Sequence, residues 1–142
     1  MGIATVLKDK GHGVASVHPD SRVGEAIELL VERRIGAVLV LEEGRPVGIV
    51  SERDIVRCLA VQGSAVMELQ VRDVMTAPLI TIRPDETICD AMELMTDRRI
   101  RHLPVMESGN LVGIVSIGDL VKKRIAEAEQ EALALKDYIA TA

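Results

Sequence analysis

The chain has no Phe and no Trp, and Tyr138 is the only aromatic among its 142 residues. With hydrophobic residues at 48%, the core must be packed with Ile, Val, Leu, Met and Ala. The missing aromatics remove the platforms on which bases stack. With a formal charge of −5, this excludes single-stranded nucleic acid as the expected partner, because such recognition joins stacking side chains to a basic groove. Long apolar runs are missing too. Stretches such as Ala37 to Leu41 fall far short of the roughly 20 residues of a membrane span, and no basic region followed by a long apolar segment opens the chain, so a cytosolic protein without membrane contact is expected. Cysteine is scarce. Cys58 and Cys89 have no second thiol at metal-ligand spacing, which favours small-residue packing over disulfide or redox chemistry. His12, His18 and His102 are equally scattered, and no metal centre is expected.

What the chain does have is a repeat. Shifted by 65 residues, Pro19-Asp20 realigns with Pro84-Asp85, Arg33-Arg34-Ile35 with Arg98-Arg99-Ile100, and Val47-Gly48-Ile49-Val50-Ser51 with Val112-Gly113-Ile114-Val115-Ser116. From Val17 to Val56 the copies agree at 18 of 40 positions without a gap. The chain is thus a tandem of one supersecondary unit. A chain of this length suits one compact domain that buries roughly two-thirds of its unfolded surface. A pseudo-twofold axis between the copies would set equivalent loops face to face and create clefts lined by both.

Each copy opens with a short apolar segment, Val14 to Val17 or Leu79 to Ile82, followed closely by a proline, as a strand entering a turn does. A helix follows. Val23, Ala26, Ile27 and Leu30 fall at i, i+3, i+4 and i+7, and Ile88, Ala91, Met92 and Met95 repeat that stripe. Thr87 and Asp90 have capping-box spacing, whereas Arg22 and Glu25 leave the first copy's helix end less well specified. The pairs Arg33-Arg34 and Arg98-Arg99 are expected in the last helical turn, at the negative end of the dipole. Two β-rich runs come next, Ala37 to Leu41 and Val47 to Val50 around Glu42-Glu43-Gly44-Arg45, with Val105 and Leu111 to Val115 around Ser108-Gly109-Asn110 in the second copy. These read as hairpins with glycine-containing turns. A second helix begins at Ser51 or Ser116.

The expected fold is therefore α+β: two pseudo-twofold-related β-α-β-β-α units forming one module, plus a C-terminal helix. Residues 1–64 hold the first unit with its N-terminal lead-in, 65–125 the second, and 126–142 the helical extension. Gln62-Gly63-Ser64 is the expected connector, and Val71 to Met75 a short helical lead-in to the second unit. From Asp119 to Ala142 there is no Gly or Pro, and Val121, Ile125, Ala128, Ala132, Leu135 and Ile139 recur every three or four residues. Such a seam needs a partner surface: its own domain, a second subunit or an unrelated protein.

Both hairpins run into one tetrad pattern, Ser51-Glu52-Arg53-Asp54 and Ser116-Ile117-Gly118-Asp119. A capping box accounts for the Ser and the Asp without any ligand. The functional alternative sets the helix N-terminus and the serine hydroxyl against a phosphate, with the aspartate accepting hydrogen bonds from the adjacent hydroxyls of a ribose. Capping does not require Gly-Ile-Val-Ser and the following Asp to be kept together in both copies, so the duplication favours the ligand.

These motifs resemble the cystathionine-β-synthase (CBS) domain in its tandem form, the Bateman module. The resemblance rests on Val71-Arg72-Asp73-Val74-Met75-Thr76, the Pro-Asp before each first helix, Arg101-His102-Leu103-Pro104-Val105, and Gly-Ile-Val-Ser-x-x-Asp in both copies, and it covers nearly the whole chain except the final helix. In length and tail the chain is similar to small stand-alone bacterial CBS pairs. The resemblance implies a non-catalytic regulatory module, a disc-like homodimer, that binds AMP, ADP or ATP in two clefts between the repeats; some relatives bind NAD or S-adenosylmethionine. It further implies that one site uses Gly13, Val14, Gly36 and Ala37 with Ile114, Ser116 and Asp119. The other uses Thr76, Ala77, Pro78, Arg101 and His102 with Ile49, Ser51, Arg53 and Asp54.

The two sites are expected to differ, because Arg53 adds a cation to the first tetrad while Gly118 adds none to the second. Arg101 and His102 correspond to Gly36 and Ala37, near the pseudo-twofold axis, where they could reach phosphates in either cleft; a structural hydrogen bond is the plainer role for His102. The Asp54 site is expected to bind more tightly. No nucleophile with a base and no metal set is apparent, and Asp54 and Asp119 belong to equivalent sites rather than to one acid–base pair. The rival to a nucleotide sensor is a structural adaptor with empty clefts that acts through dimerisation and its final helix.

Overall fold

The computed structural model describes residues 2–141. A helix α1 (Ile3–Lys10) precedes the first unit, which runs β1 (Ser16–Val17), α2 (Val23–Arg33), β2 (Ala37–Glu42), β3 (Arg45–Ser51) and α3 (Glu52–Gln62). A 3-10 helix (Gly63–Glu68) and α4 (Val71–Val74) connect to α5 (Ile88–Arg98), β4 (His102–Glu107), β5 (Asn110–Ser116) and α6 (Ile117–Thr141). One sheet has the order β1-β2-β3 and the other pairs β4 with β5.

The apolar stripes do what their spacing predicts. Val23, Ala26 and Leu30 of α2 are buried, as are Ile88, Ala91 and Met95 of α5. The Asp90 amide donates to the Thr87 hydroxyl at 3.0 Å and the Thr87 amide to the Asp90 carboxylate at 3.1 Å, whereas Arg22 makes no side-chain cap. Of the arginine pairs, only Arg33 and Arg98 lie in the last helical turn. Arg34 and Arg99 are the left-handed residues that end the helices, at φ 54° and 55°. The hairpins turn on two residues each, Glu43-Gly44 and Ser108-Gly109, all with positive φ, as tight hairpins with right-handed strand twist require. Both ladders shift register at the same place, between Val40 and Leu41 and between Val105 and Met106.

The leading strand differs between the units. In the first, β1 runs parallel to β2 and the Leu39 amide donates to the Ala15 carbonyl at 3.1 Å. The residue at that position in β4 is Pro104, which has no N–H to give. Ile82 keeps its bonds with Pro104 and Met106, and the segment from Leu79 to Ile82 is reduced to a single parallel bridge, Ile82 to Val105.

Each unit has its own core, and the leader of each unit packs into the other. Ile3, Val6 and Leu7 of α1 are buried with Ile82, Ile88, Ala91, Leu103, Val115 and Leu120. Val66, Val71 and Val74 are buried with Val23, Ala26, Val38, Val40 and Val50. Gln62-Gly63-Ser64 is not a loose hinge, since the 3-10 helix that begins at Gly63 carries Val66 into the first core. The correspondence between leaders is close. The Ile3 and Ala4 amides donate to the Glu86 and Pro84 carbonyls at 2.9 and 3.0 Å, and the Val71 and Arg72 amides donate to Ser21 and Pro19 at 2.7 and 2.9 Å. The Arg72 guanidinium also pairs with Asp20, whose carboxyl that hydrogen bond holds below its ordinary value.

Cys58 is half-buried against the first core, but Cys89 is exposed on α5, so the packing role expected for both belongs to Cys58 only. Helix α6 runs through residue 126 without a break, and Leu120 is its one buried residue. Val121, Ile125, Leu135 and Ile139 are 39 to 65% exposed, so the seam does not dock on its own domain. Ala142, the last residue of the expected segment, lies outside the described residues. Among the described residues no helix is long and apolar enough to cross a membrane.

Because Leu7 is a core residue of the second unit, Leu7→Ala is expected to destabilise the whole protein by about 2–5 kcal/mol. The check is the denaturant midpoint at unchanged slope; a loss under about 0.5 kcal/mol, the scale of a surface change, would show that α1 is not part of the core.

Candidate functional site

The first tetrad forms the capping box its spacing predicts. The Asp54 amide donates to Ser51 Oγ at 3.2 Å, and Asp54 Oδ2 accepts from the Ser51 amide at 2.9 Å and from Ser51 Oγ at 3.0 Å. The other carboxylate oxygen, Oδ1, accepts from Thr76 Oγ1 at 3.0 Å. A short bridge fixes Thr76 there: its amide donates to the Ile49 carbonyl at 2.8 Å and its carbonyl accepts from the Ile49 amide at 3.1 Å. A carboxylate oxygen has two lone pairs, so Oδ1 retains capacity for one further donor.

This carboxylate faces a cavity of about 490 Å³ that both units line. Ile49, Ser51, Arg53, Asp54, Thr76, Pro78, Arg101 and His102 all line it; Ala77, between Thr76 and Pro78, does not. Gly36, expected in the other cleft, lines it as well, close enough to His102 that a Cβ at position 36 would come within 3.1 Å of the imidazole. Five of the chain's twelve arginines are in its wall: Arg53, Arg57, Arg98, Arg99 and Arg101. None of the five forms an ion pair among the described residues. Arg53 donates to the Arg99 carbonyl at 3.2 Å and so crosses from one unit to the other. Against five guanidiniums stand the carboxylates of Glu52 and Asp54, so the wall carries an excess of positive charge in an acidic protein.

The remaining expected residues are arranged differently. The Ser116 amide donates to Asp119 Oδ2 at 2.8 Å and the Asp119 amide to Ser116 Oγ at 3.1 Å, a second capping box. Asp119 Oδ2 also accepts from Lys10 Nζ at 2.7 Å, and the Ile114 carbonyl from the same ammonium at 2.8 Å. Gly13 and Val14 lead from His12, whose Nδ1 meets the Val112 carbonyl at 2.7 Å, to Ala15 on β2. Ala37 is buried at the start of β2, opposite Ser51.

The CBS-domain family model matches residues 11–61 and 71–126. This chain belongs to the CBS-domain family, as a tandem pair. It is 36% identical over 146 residues to the mitochondrial CBS domain-containing protein CBSX3 of Arabidopsis thaliana, covering 96% of this chain and 71% of that one. It shares 42% identity and a TM-score of 0.85 with the crystal structure of a CBS-domain-containing protein from Agrobacterium tumefaciens, over 87% of this chain and 99% of that one. The CBS pair of protein MJ0100, solved with 5′-methylthioadenosine and S-adenosyl-L-methionine, has the same fold at 23% identity, with a TM-score of 0.79 over 89% and 98% of the two chains.

Sequence reasoning missed several cavity residues in this CBS pair. Arg57 sits one turn beyond Arg53 on α3, a spacing that signals a shared face. Arg98 and Arg99 had a sufficient role at a helix end, which hid their second one. Lys10, which lies on Asp119 outside this cavity, was missed as well, because α1 aligns with α4 at a shift of 68 rather than 65: Ile3, Val6 and Leu7 take the places of Val71, Val74 and Met75.

The imidazole of His102 stands where the units meet. Burial, with Lys10 and Arg101 nearby, pushes its pKa below the ordinary 6.5, against the opposing pull of Asp119 and Glu52. The folded state thus prefers neutral His102. The stability this represents is present above about pH 6.5 and is lost as the pH falls through the depressed folded value. His102→Gln should therefore flatten the fall in melting temperature between pH 7 and 5; Asp119, lowered from 3.8, acts below that window. Equal slopes in wild type and variant would refute a half-buried imidazole held neutral.

Proposed function

We propose that this CBS pair is a non-catalytic regulatory module that binds an adenine nucleotide in the Asp54 cavity and signals energy or redox state to a partner protein. AMP, ADP and ATP are the ligand class, with NAD as a further member. The observation that carries the reading is the wall itself: five arginines without ion pairs among the described residues and one oriented carboxylate, in a single cleft contributed by both units. Phosphates suit the guanidiniums, whose planar forks hold two oxygens of one phosphate in bidentate fashion. The free capacity of Asp54 Oδ1 suits a ribose hydroxyl. Support of a general kind comes from the MJ0100 pair and its adenosine-containing ligands.

The excess of guanidinium over carboxylate favours ligands with several phosphates. ATP is expected to bind at least about tenfold more tightly than AMP, the equivalent of one charge-assisted hydrogen bond of about 1.5–3 kcal/mol. Nucleotide binding acts as a signal only if the ligand favours one arrangement of the units over another. A second copy of the chain is the proposed structural partner, through the exposed apolar residues Val31, Val56, Leu59 and Val61 of α2 and α3 and the α6 seam.

That seam also favours a second reading, in which the protein is a nucleotide-independent adaptor acting through dimerisation and α6. One experiment separates the two: calorimetric titration with adenosine, AMP, ATP and NAD of the wild type, Asp54→Ala and Arg99→Ala. A sensor should bind ATP saturably, lose at least about tenfold in affinity with Asp54→Ala, and lose more ATP than adenosine affinity with Arg99→Ala. No binding at millimolar ligand, with a melting temperature that ligand does not move, would sink the sensor and leave the adaptor.

A further inference from the structure

The two tetrads end in the same capping box but face different partners. Beside the first, the chain leaves α4 at Val74 and turns so that Thr76 occupies two acceptors, the Ile49 carbonyl through its amide and Asp54 through its hydroxyl. Beside the second, the corresponding helix α1 runs on to Lys10, and the Lys10 ammonium reaches the two equivalent acceptors, the Ile114 carbonyl at 2.8 Å and Asp119 at 2.7 Å. A neutral pair of short contacts in one cleft is replaced by a full positive charge in the other.

We infer that Lys10 is a built-in occupant of the second cleft, so that the two clefts are not equivalent and each chain takes up one nucleotide, at Asp54. The inference rests on the nucleotide reading above. A ribose that used Asp119 would have to displace an ammonium already held by two hydrogen bonds. The contact acts on Asp119 in the same sense: burial alone would raise its pKa, yet Lys10 and Ser116 together hold it below the ordinary carboxylate value. The ammonium is not free to swing away with its helix, because Leu7 lies against Gly113, where a Cβ would come within 2.7 Å of it, and Asp9 pairs with Lys123 at 2.8 Å. With 32% of the Lys10 and 26% of the Asp119 side chain exposed, the pair is nonetheless open to solvent, and removing the charge opens the carboxylate without dismantling the core. The second tetrad also has Gly118 where the first has Arg53, so the plugged cleft lacks its own guanidinium.

The test is the stoichiometry of ATP binding by titration calorimetry. Wild type should bind one ATP per chain, weakened at least about tenfold by Asp54→Ala. Lys10→Met, which keeps the length and apolar stem of the side chain, should bind two, and Lys10→Met with Asp119→Ala should return to one. Lys10→Arg should stay at one, and Lys10→Gln replaces the methionine variant if that one does not fold. A wild type with two sites, or a Lys10→Met protein that still binds one ATP, overturns the plug while leaving the nucleotide reading intact. No ATP bound by wild type or by either neutral Lys10 variant overturns both.

Discussion

The structure depends on two close contacts between a leader helix and a strand glycine. Met75 packs on Gly48 and Leu7 on Gly113, at distances where an added Cβ would lie 2.5 and 2.7 Å from the side chain. A side chain at either glycine would force Met75 or Leu7 to shift from its seat on the hairpin. Because the leader of each unit is seated on the other, neither core is complete without a segment that sequence order assigns elsewhere. The crossing ties the units into one body and brings the start of α3, the end of α5 and the Thr76 segment around a common cavity.

Electrostatics then separates what the repeat made alike. Both tetrads cap a helix in the same way, and both carboxylates are oriented by the same serine amide. The difference comes from residues outside the repeated pattern. Arginines gather on one side of the pseudo-twofold axis with too few acids to neutralise them, and one lysine answers the acid on the other side. A duplicated fold thereby acquires two tetrads of opposite character, one beside surplus positive charge and one whose carboxylate is paired internally.

Much of this was legible in the sequence. The gapless repeat, the helical stripes, the Gly-containing turns and the Ser-x-x-Asp boxes are local signals, and each forms as its spacing predicts. Eight of the nine residues expected around Asp54 line one cavity, where the start of α3 meets the Thr76 segment and the junction between α5 and β4. The failures were non-local. Nothing in the segment from Leu79 to Ile82 reveals that it would form one bridge; the cause is the missing donor of Pro104, some two dozen residues away. The leader exchange has no local signature either, since α1 and α4 pair with the repeats at a different shift from the repeats themselves. The exposed α6 seam shows the limit of periodicity, which finds an apolar face but not what covers it.

The leader exchange also sets an order of events at the ribosome. Helix α1 is synthesised before its seat, which is built from residues between Ile82 and Leu120. An isolated helix of eight residues is unstable in water, so Ile3, Val6 and Leu7 must wait unfolded while the first unit, including α4, forms behind them. Helix α1 is thus seated only after the residues that follow it, and its arrival closes the second unit and brings Lys10 to Asp119 in one motion.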